Sequence, residues 1–387
     1  MQRLLVGLLV LIIAGLAVAY AVVPGMLESG TNKVVPHDPY AVSPAGQAVH
    51  DRLVLADLHA DSLLWKRNIL DRGERGHVDI PRLLEGGFVF QVFSAVTKSP
   101  SGQNYASNDA DTDRITSLVM AQGWPPRTWF SLFERAVYQA QKLHRFTERS
   151  NGALRVIRTR GDLARLRTDQ AQGRAVIGGL LAIEGAHALE GRLDAIDGLW
   201  DAGYRMMGLH HFFDNGLGGS LHGLEKGGLS AFGRQAVTRM AEKGVILDLA
   251  HSSEAVVRDV LDMGVRGLVI SHTGFKGHCN QPRNISDDLM QRFAQAGGLI
   301  GVGYWDGAVC DPSPGSVAAA IAYGVALVGA DQVALGSDYD GATTVAFDAS
   351  EMAVLTDALL AQGLDETTIE KVMGGNTLAF MDQHLPN

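Results

Sequence analysis

The sequence predicts an α/β protein with a (β/α)8 TIM barrel fold, preceded by an N-terminal transmembrane or signal helix. Eight apolar runs alternate with segments of helical spacing, and many of the 46 glycines flank these runs, where tight strand-to-helix turns need them. Buried parallel strands are continuous apolar runs, and their alternation with helices indicates a parallel sheet. A chain of 387 residues is long enough for one such barrel.

The eight predicted strands are short and dominated by aliphatic and aromatic residues. They cover residues 53–59, 88–96, 175–184, 205–211, 245–251, 267–272, 299–304 and 332–338. Helical spacing between them predicts helices at 230–242, 254–263, 287–296 and 316–328. We therefore expect eight β/α units in one barrel.

One connection is much longer than the others. About 78 residues, from 97 to 174, separate the second strand from the third and contain helical patterns at 128–147 and 160–171. Active sites of TIM barrels lie at the carboxyl ends of the strands, where the strand-to-helix loops are found. We expect this insertion to help build a substrate pocket.

The N-terminus carries a membrane-targeting segment. Residues 4–23 are apolar apart from one tyrosine, and twenty residues can span a bilayer as a helix. A cleaved signal peptide is the alternative, with small-x-small sites at 17–19 and 19–21, although the length favours an anchor. Residues 24–45 are predicted to form a linker and residues 46–387 the catalytic barrel. The barrel would be exported, either membrane-anchored or secreted after cleavage.

Composition and charge exclude one class of partner. The net charge of −9 and the pI near 5.8 argue against nucleic acid, because a phosphate-binding face is normally rich in Lys and Arg. Two cysteines, Cys279 and Cys310, are too few for a disulfide scaffold. They could pair if the chain is exported, and the sequence leaves this open.

Polar side chains suited to metal binding stand at the ends of the apolar runs. They are His59, Asp61, Glu184, His211, His251, His272 and Asp338. Each alone has a simpler explanation, such as a buried histidine bonded to backbone or a carboxylate capping a turn. Together, at one barrel mouth, they would form a costly cluster of buried charge unless cations neutralise it. The sequence therefore predicts a metal site.

The number of ligands predicts two zinc ions per chain. One catalytic zinc needs three protein ligands, and a shared carboxylate can join two ions. We expect Glu184 to bridge them, with His59 and Asp61 on one ion and His251 and His272 on the other. In the extended segment that ends the first run, His59 and Asp61 point to the same face. Such a site makes a hydroxide nucleophile, so hydrolysis is the expected chemistry.

Seven motifs in order extend this prediction. DLHAD, AIEG, DLAHSS, SHTG, PRNISDD, GSDYDG and MGGN resemble the membrane dipeptidase (renal dipeptidase) family of zinc metallopeptidases, within the amidohydrolase-like barrels. The resemblance covers the chain from about residue 50 to the C-terminus. It implies a binuclear zinc dipeptidase in which a bridging hydroxide attacks the peptide bond. It also implies tolerance of a D-residue at the C-terminal position in some members, and a homodimer.

The resemblance also implies roles for three further residues. Asp338 would be the acid/base, in preference to Asp340, and His211 would polarise the scissile carbonyl. His210, where the family usually has a small polar residue, leaves open which histidine points inward. Arg283 would bind the free carboxylate of the substrate through a bidentate pair.

Besides a dipeptidase, two other functions remain open at the level of sequence. A barrel with the same mechanism could act on another small amide, such as a β-lactam, or tailor a secreted peptide. A catalytically silent binding protein at the membrane surface is a third hypothesis. The complete ligand set argues against it, because such descendants typically lose a ligand or the acid/base.

Overall fold

The computed structural model describes the backbone of residues 2–387. Within residues 2–20 it describes the side chains of residues 3, 5–8, 14, 15, 18 and 20. The sections below concern these parts of the chain.

Eight parallel strands close into a barrel, as the sequence predicts. The strands in chain order are β1 (Lys33–Val34), β2 (Leu55–Ala60), β3 (Phe88–Val96), β4 (Leu154–Val156), β5 (Ile177–Glu184), β6 (Tyr204–Gly208), β7 (Ile246–Asp248), β8 (Leu268–Thr273), β9 (Leu299–Val302), β10 (Val333–Leu335) and β11 (Thr344–Val345). The barrel order is β2-β3-β5-β6-β7-β8-β9-β10, and β10 pairs with β2 to close it. β4 is an extra parallel strand beside β5, and β1 pairs with β11 outside the barrel.

Helices surround this barrel and fill the long connection. They are α1 (Gln2–Thr31), α2 (Pro44–His50), α3 (Ile80–Glu85), α4 (Arg114–Ala121), α5 (Leu132–Arg149), α6 (Arg160–Ala171), α7 (Ala195–Ala202), α8 (Ala231–Lys243), α9 (Glu254–Asp262), α10 (Asp287–Gln295), α11 (Asp306–Val309), α12 (Pro314–Val328), α13 (Ala353–Ala361), α14 (Glu366–Glu370) and α15 (Asn376–His384). The sequence predicted seven of these fifteen, namely α1, α5, α6, α8, α9, α10 and α12, and α4 is among those it missed.

Strand ends differ from the predicted ones for a physical reason. β6, β7 and β10 stop three residues before His211, His251 and Asp338. Two of these residues adopt left-handed backbone conformations, with φ of 61° at His251 and 56° at Asp338. A left-handed residue leaves the extended conformation, so these side chains turn into the barrel mouth, and such backbone is concentrated at functional sites.

The insertion after β3 is an ordered layer that contains α4, α5, β4 and α6. Arg135 of α5 is buried and holds it together. Its guanidinium donates to the carbonyl oxygens of Thr97 and Thr128 and forms an ion pair with Asp113 at 2.6 Å. Because the buried charge is paired and hydrogen-bonded, it fixes the start of α4 over the barrel mouth.

Regular structure occurs within residues 24–45, which the sequence predicts to be a linker. Residues 24–31 continue α1 past Pro24, β1 pairs with β11, and α2 begins at Pro44. Glu28, near the end of α1, is fully buried. Over the described residues, no helix combines the length and apolarity that a membrane crossing needs.

The hydrophobic core lies between the strands and the outer helices. One buried cluster joins residues of all eight barrel strands to α6 and α15, through side chains such as Leu58, Phe90, Leu163 and Met381. A second and larger cluster spans the remaining helices and strands. This packing leaves the carboxyl ends of the strands as the polar end of the barrel.

Candidate active site

The carboxyl ends of the strands bring the predicted metal-binding residues together at one mouth. His59 is near the end of β2, Glu184 ends β5, and His272 lies in β8. His251 follows β7, and Asp61 follows β2. All five side chains are buried, with relative exposures of at most 4%.

Glu184 is the centre of the cluster. Its Oε1 lies 2.9 Å from Nε2 of His251, 3.3 Å from Nε2 of His272 and 3.8 Å from Nε2 of His59. Its Oε2 lies 3.4 Å from Nε2 of His211. One carboxylate therefore reaches four histidines, which is the arrangement that a bridging ligand requires.

His59 and Asp61 face the same space. Nε2 of His59 lies 3.4 Å from Oδ1 of Asp61 and 4.0 Å from Oδ1 of Asp338. Within the described residues, His59 Nε2 and Asp61 Oδ1 are buried and have no hydrogen-bond partner. Buried polar atoms are normally satisfied, so these two orphaned ligand atoms fit a cation between them.

Among the described residues, the candidate ligand atoms form three groups; one of them, His59, Asp248 and His272, lacks Glu184, and the other two share it. One group is His59, Asp61 and Glu184, as the sequence predicts. The other is Glu184, His211 and His251, whereas the prediction paired His251 with His272. Nε2 of His272 is 2.9 Å from Nε2 of His251, so it also points at the second position. Imidazole and carboxylate ligands of this kind suit zinc.

Electrostatics also fit bound cations. Burial and the nearby Asp61 carboxylate raise the pKa of Glu184 well above its usual value. Burial raises the pKa of Asp338 to about 8, against the opposing effects of His59 and Arg283. Carboxylates this close cannot all be ionised without compensating positive charge. Metal ions would supply that charge.

A second layer that the sequence reading missed orients two of the histidines. The Ser271 hydroxyl donates to Oδ2 of Asp248 at 2.6 Å and lies 2.8 Å from Nδ1 of His272 and 3.3 Å from Nδ1 of His59. Partners of this type fix the ring orientation of metal-binding histidines. Asp248 begins the motif DLAHSS and Ser271 begins the motif SHTG. Their positions close to predicted metal ligands were the only feature of the sequence analysis that pointed to this role.

Asp57 ties β2 to the loop that carries Asp338. Its carboxylate accepts bonds from the backbone N–H of His59 at 2.9 Å and from the backbone N–H of Ser337 at 2.8 Å. Gln91 donates to it as well, at 2.8 Å. This buried network fixes the residues on either side of the cluster relative to each other.

The structure distinguishes the two histidines after β6. His211 lines the cavity, whereas His210 is fully buried with Nδ1 3.0 Å from the Ser252 hydroxyl. Nδ1 of His211 donates to the carbonyl oxygen of Lys98 at 3.0 Å, because a carbonyl only accepts. Burial lowers the pKa of His211 to about 4, which favours the neutral ring. In the neutral ring, Nε2 faces Glu184 with a lone pair and can only accept a hydrogen bond or bind a cation. Nε2 can donate a hydrogen bond only when the ring is an imidazolium.

Asp338 and Asp340 face different surroundings. Asp338 lines the cavity. Asp340 instead bonds to Ser62, to Arg67 and to the backbone N–H of His77. Its carboxylate is fully used in structural contacts, so Asp338 is the one available to a substrate.

Arg283 is buried without a carboxylate partner in the described residues. Its Nη2 donates to the carbonyl oxygen of His272 at 2.8 Å and lies 3.5 Å from Nε2 of His251. The guanidinium lies 5.3 Å from the Trp305 ring centre. A disulfide between Cys279 and Cys310 joins the Arg283 loop to the end of α11. A fixed guanidinium at the pocket that forms no ion pair within the described residues is suited to an anionic group.

These residues surround a cavity of about 400 Å³. Its polar lining includes Asp61, Glu184, His211, Arg283 and Asp338. Apolar lining comes from the segment after β2, from the insertion and from α1, with Leu27, Leu64, Trp65, Ile115 and Leu118. The insertion also contributes polar side chains, those of Ser99, Gln103, Arg114 and Ser117. The cavity is large enough for a small substrate with one apolar end.

Sequence comparison finds relatives of this chain. Mouse (Mus musculus) Dipeptidase 3 is 25% identical over 335 residues, which cover 80% of this chain and 63% of the mouse protein. The chain thus spans less than two thirds of that relative's length.

Two solved structures share the fold. A metallo peptidase from Rhodobacter sphaeroides matches with a TM-score of 0.68 and 22% identity over 86% of this chain and 99% of the other. The probable dipeptidase PvdM from Pseudomonas aeruginosa matches with a TM-score of 0.72 and 19% identity over 88% and 98%. Residues 45–384 match the family model of membrane dipeptidases, Peptidase family M19. The sequence motifs, the barrel and this match together show that the chain belongs to the membrane dipeptidase family.

Proposed function

We propose that this protein is a zinc-dependent dipeptidase that hydrolyses the peptide bond of dipeptides. The observation that carries the proposal is a Glu184-centred cluster next to the buried Arg283; in the described part of the chain, two ligand atoms of the cluster have no hydrogen-bond partner and Arg283 has no carboxylate partner. A hydrolytic centre beside a fixed cation is what a small substrate with a free carboxylate requires. Family membership supports the same conclusion.

Two zinc ions per chain fit the residues present. His59, Asp61 and Glu184 would hold one, and Glu184 with His251 and His272 the other, with His211 also within reach of the second. Zinc at these positions would lower the pKa of a bound water toward neutrality, as in other zinc hydrolases.

The chain's own residues would bind the substrate and move the proton. Arg283 would hold the carboxylate through two N–H donors. Asp338, 4.0 Å from His59, would accept a proton from the attacking water and pass it to the leaving amine. His211 would polarise the scissile carbonyl only as the imidazolium, because Nε2 of the neutral ring has no hydrogen to donate.

A D-residue at the C-terminal position is part of the proposal. The Rhodobacter sphaeroides structure is described as liganded with a phosphinate mimic of L-Ala-D-Ala. A panel of L,L and L,D dipeptides, together with a β-lactam, would measure this preference and separate a dipeptidase from an enzyme for another small amide.

The direct test combines metal content with activity. Purified protein should contain about two zinc ions per chain, lose dipeptide hydrolysis on chelation and regain it with zinc. The variant Asp338→Asn should keep the zinc and lose at least about a hundredfold in kcat. Chelator-insensitive hydrolysis, or full activity of that variant, would contradict the proposed mechanism.

We further propose that residues 1–23 target the chain for export and that residues 46–387 form the catalytic unit. The Cys279–Cys310 disulfide supports export, because disulfides persist in oxidising compartments. We propose retention at the membrane by the uncleaved segment, with secretion after cleavage as the alternative. Fractionation of cells and mass measurement of the mature N-terminus would separate these. The family resemblance leads us to propose a homodimer, which sedimentation would test.

A further inference from the structure

We propose that the last turns of α1 form a wall of the substrate pocket and favour dipeptides whose N-terminal residue has a bulky apolar side chain. This inference rests on the proposed function and adds to it. The family model matches residues 45–384, and the inference concerns residues that precede this range.

Leu27 and Thr31 of α1 line the same cavity as Asp61 and Glu184. The side chain of Leu27 is 43% exposed, whereas that of the next residue, Glu28, is fully buried. Ile115 and Leu118 of α4 line the same cavity. Ile115 is buried, whereas Leu27 and the half-buried Leu118 leave apolar surface that a group entering the cavity would cover, and this burial would favour an apolar group.

Buried ion pairs hold this wall in place. Glu28, next to Leu27, is fully buried and lies 2.7 Å from Nε of Arg67 and 2.6 Å from Nε of Arg75. Arg67 also bonds to Asp340, two residues after Asp338. The end of α1 is thereby tied to the loop that carries the proposed acid/base.

A second connection acts at the end of α1. The side-chain oxygen of Asn32 accepts the backbone N–H of Ala342 at 2.8 Å, and β1 then pairs with β11. Both contacts reach the segment that follows Asp338. A side chain presented by α1 therefore has a fixed position relative to the proposed catalytic residues.

The barrel order indicates which end of a dipeptide meets this wall. Arg283 follows β8, whereas Leu64 and Trp65 follow β2, and β9 and β10 separate these two strands around the barrel. A substrate with its carboxylate on Arg283 would extend across the mouth toward β2, α4 and α1. The side chain nearest Leu27 would belong to the N-terminal residue.

The test uses full-length protein and two substrates that differ only in the N-terminal side chain, Leu-Ala and Ala-Ala. In Leu27→Ala, the ratio of kcat/KM for Leu-Ala to that for Ala-Ala should fall about threefold to tenfold, as expected for lost contact with a few methylene groups. Leu27→Trp, which fills the space, should also lower the ratio. The matched control is Met26→Ala, which truncates a 67% exposed neighbour on the same helix and should leave the ratio unchanged.

Zinc content and circular dichroism would show that each variant is folded and loaded. If both Leu27 variants keep the wild-type ratio and the wild-type protein hydrolyses Ala-Ala, the proposed role of α1 as a pocket wall would be wrong. The proposed dipeptidase function would not be affected by that result. Wild-type protein that hydrolyses neither dipeptide while carrying zinc would overturn the proposed function, and the wall with it. An equal fall in the Met26 variant would also contradict a specific role for Leu27.

Discussion

Single side chains next to the proposed ligands decide how well the cluster is oriented. The Ser271 hydroxyl contacts two histidine rings and the Asp248 carboxylate. The sequence predicts the ligands themselves because histidine and carboxylate at strand ends have few other uses together. It does not predict the role of Ser271, since that role depends on β2 and β8 meeting across the barrel.

Replacement of Ser271 by alanine should weaken zinc binding by about tenfold to a hundredfold, because both rings lose an orienting partner. Competition with a chelator would measure this affinity. Thr238→Ala removes an exposed hydroxyl on α8 and serves as the control. Equal affinities in all three proteins would show that Ser271 does not orient the ligands.

The protonation of His211 gives a second prediction at this scale. Its Nδ1 donates to Lys98, so Nε2 donates only from the imidazolium form. If His211 polarises the carbonyl, His211→Ala should lower kcat by about a hundredfold to a thousandfold while zinc content stays at the wild-type value. A loss of zinc in the same variant would instead show that His211 is a metal ligand.

At the level of helices and strands, the elements outside the barrel strands line much of the proposed substrate pocket. The strands were predictable because continuous apolar runs are typical of buried parallel strands. The helix α4 was missed because its eight residues give little periodicity. The ordered end of α1 was also missed, because Pro24 and the nearby glycine and serine are typical of linkers, whereas burial of Glu28 between two arginines overrides that local preference.

The loop that carries Arg283 is closed by the disulfide between Cys279 and Cys310, which are 31 residues apart. Its removal in a double serine variant should lower the free energy of unfolding by about 3 to 4 kcal/mol, because an open loop of this length gains entropy when unfolded. Urea unfolding would measure this. A reducing agent should destabilise the wild type similarly and leave the variant unchanged. A KM raised in the variant would show that the loop positions Arg283.

At the scale of the whole molecule, the insertion is fastened to the barrel by a buried lysine. Lys142 of α5 donates to the carbonyl oxygens of Leu63 and Trp65, at 2.6 and 2.7 Å. Burial lowers its pKa to about 7. A neutral amine has two N–H donors, which match the two carbonyls, so the contact persists without the charge.

This pKa makes stability depend on pH. Lysine is protonated up to a pKa of about 10.4 in the unfolded chain. Between pH 7 and 10 the unfolded state therefore binds more protons, and stability rises with pH there. The stability advantage of wild type over Lys142→Met should grow between pH 7.5 and 9.5, by up to about 1.4 kcal/mol per pH unit. Urea unfolding at the two pH values would measure it, and a constant difference would show that Lys142 has an ordinary pKa.

The docking of α1 has a practical consequence for how the functional unit is defined. Trimming the chain to the matched range of 45–384 would keep every proposed metal ligand. It would discard Leu27, the Glu28 ion pairs and the β1–β11 pairing. A signal cut at residue 21 would keep all three. The segment that matches the family model therefore begins after residues that line the pocket. We expect an enzyme trimmed to that segment to keep its reaction and to change its substrate preference.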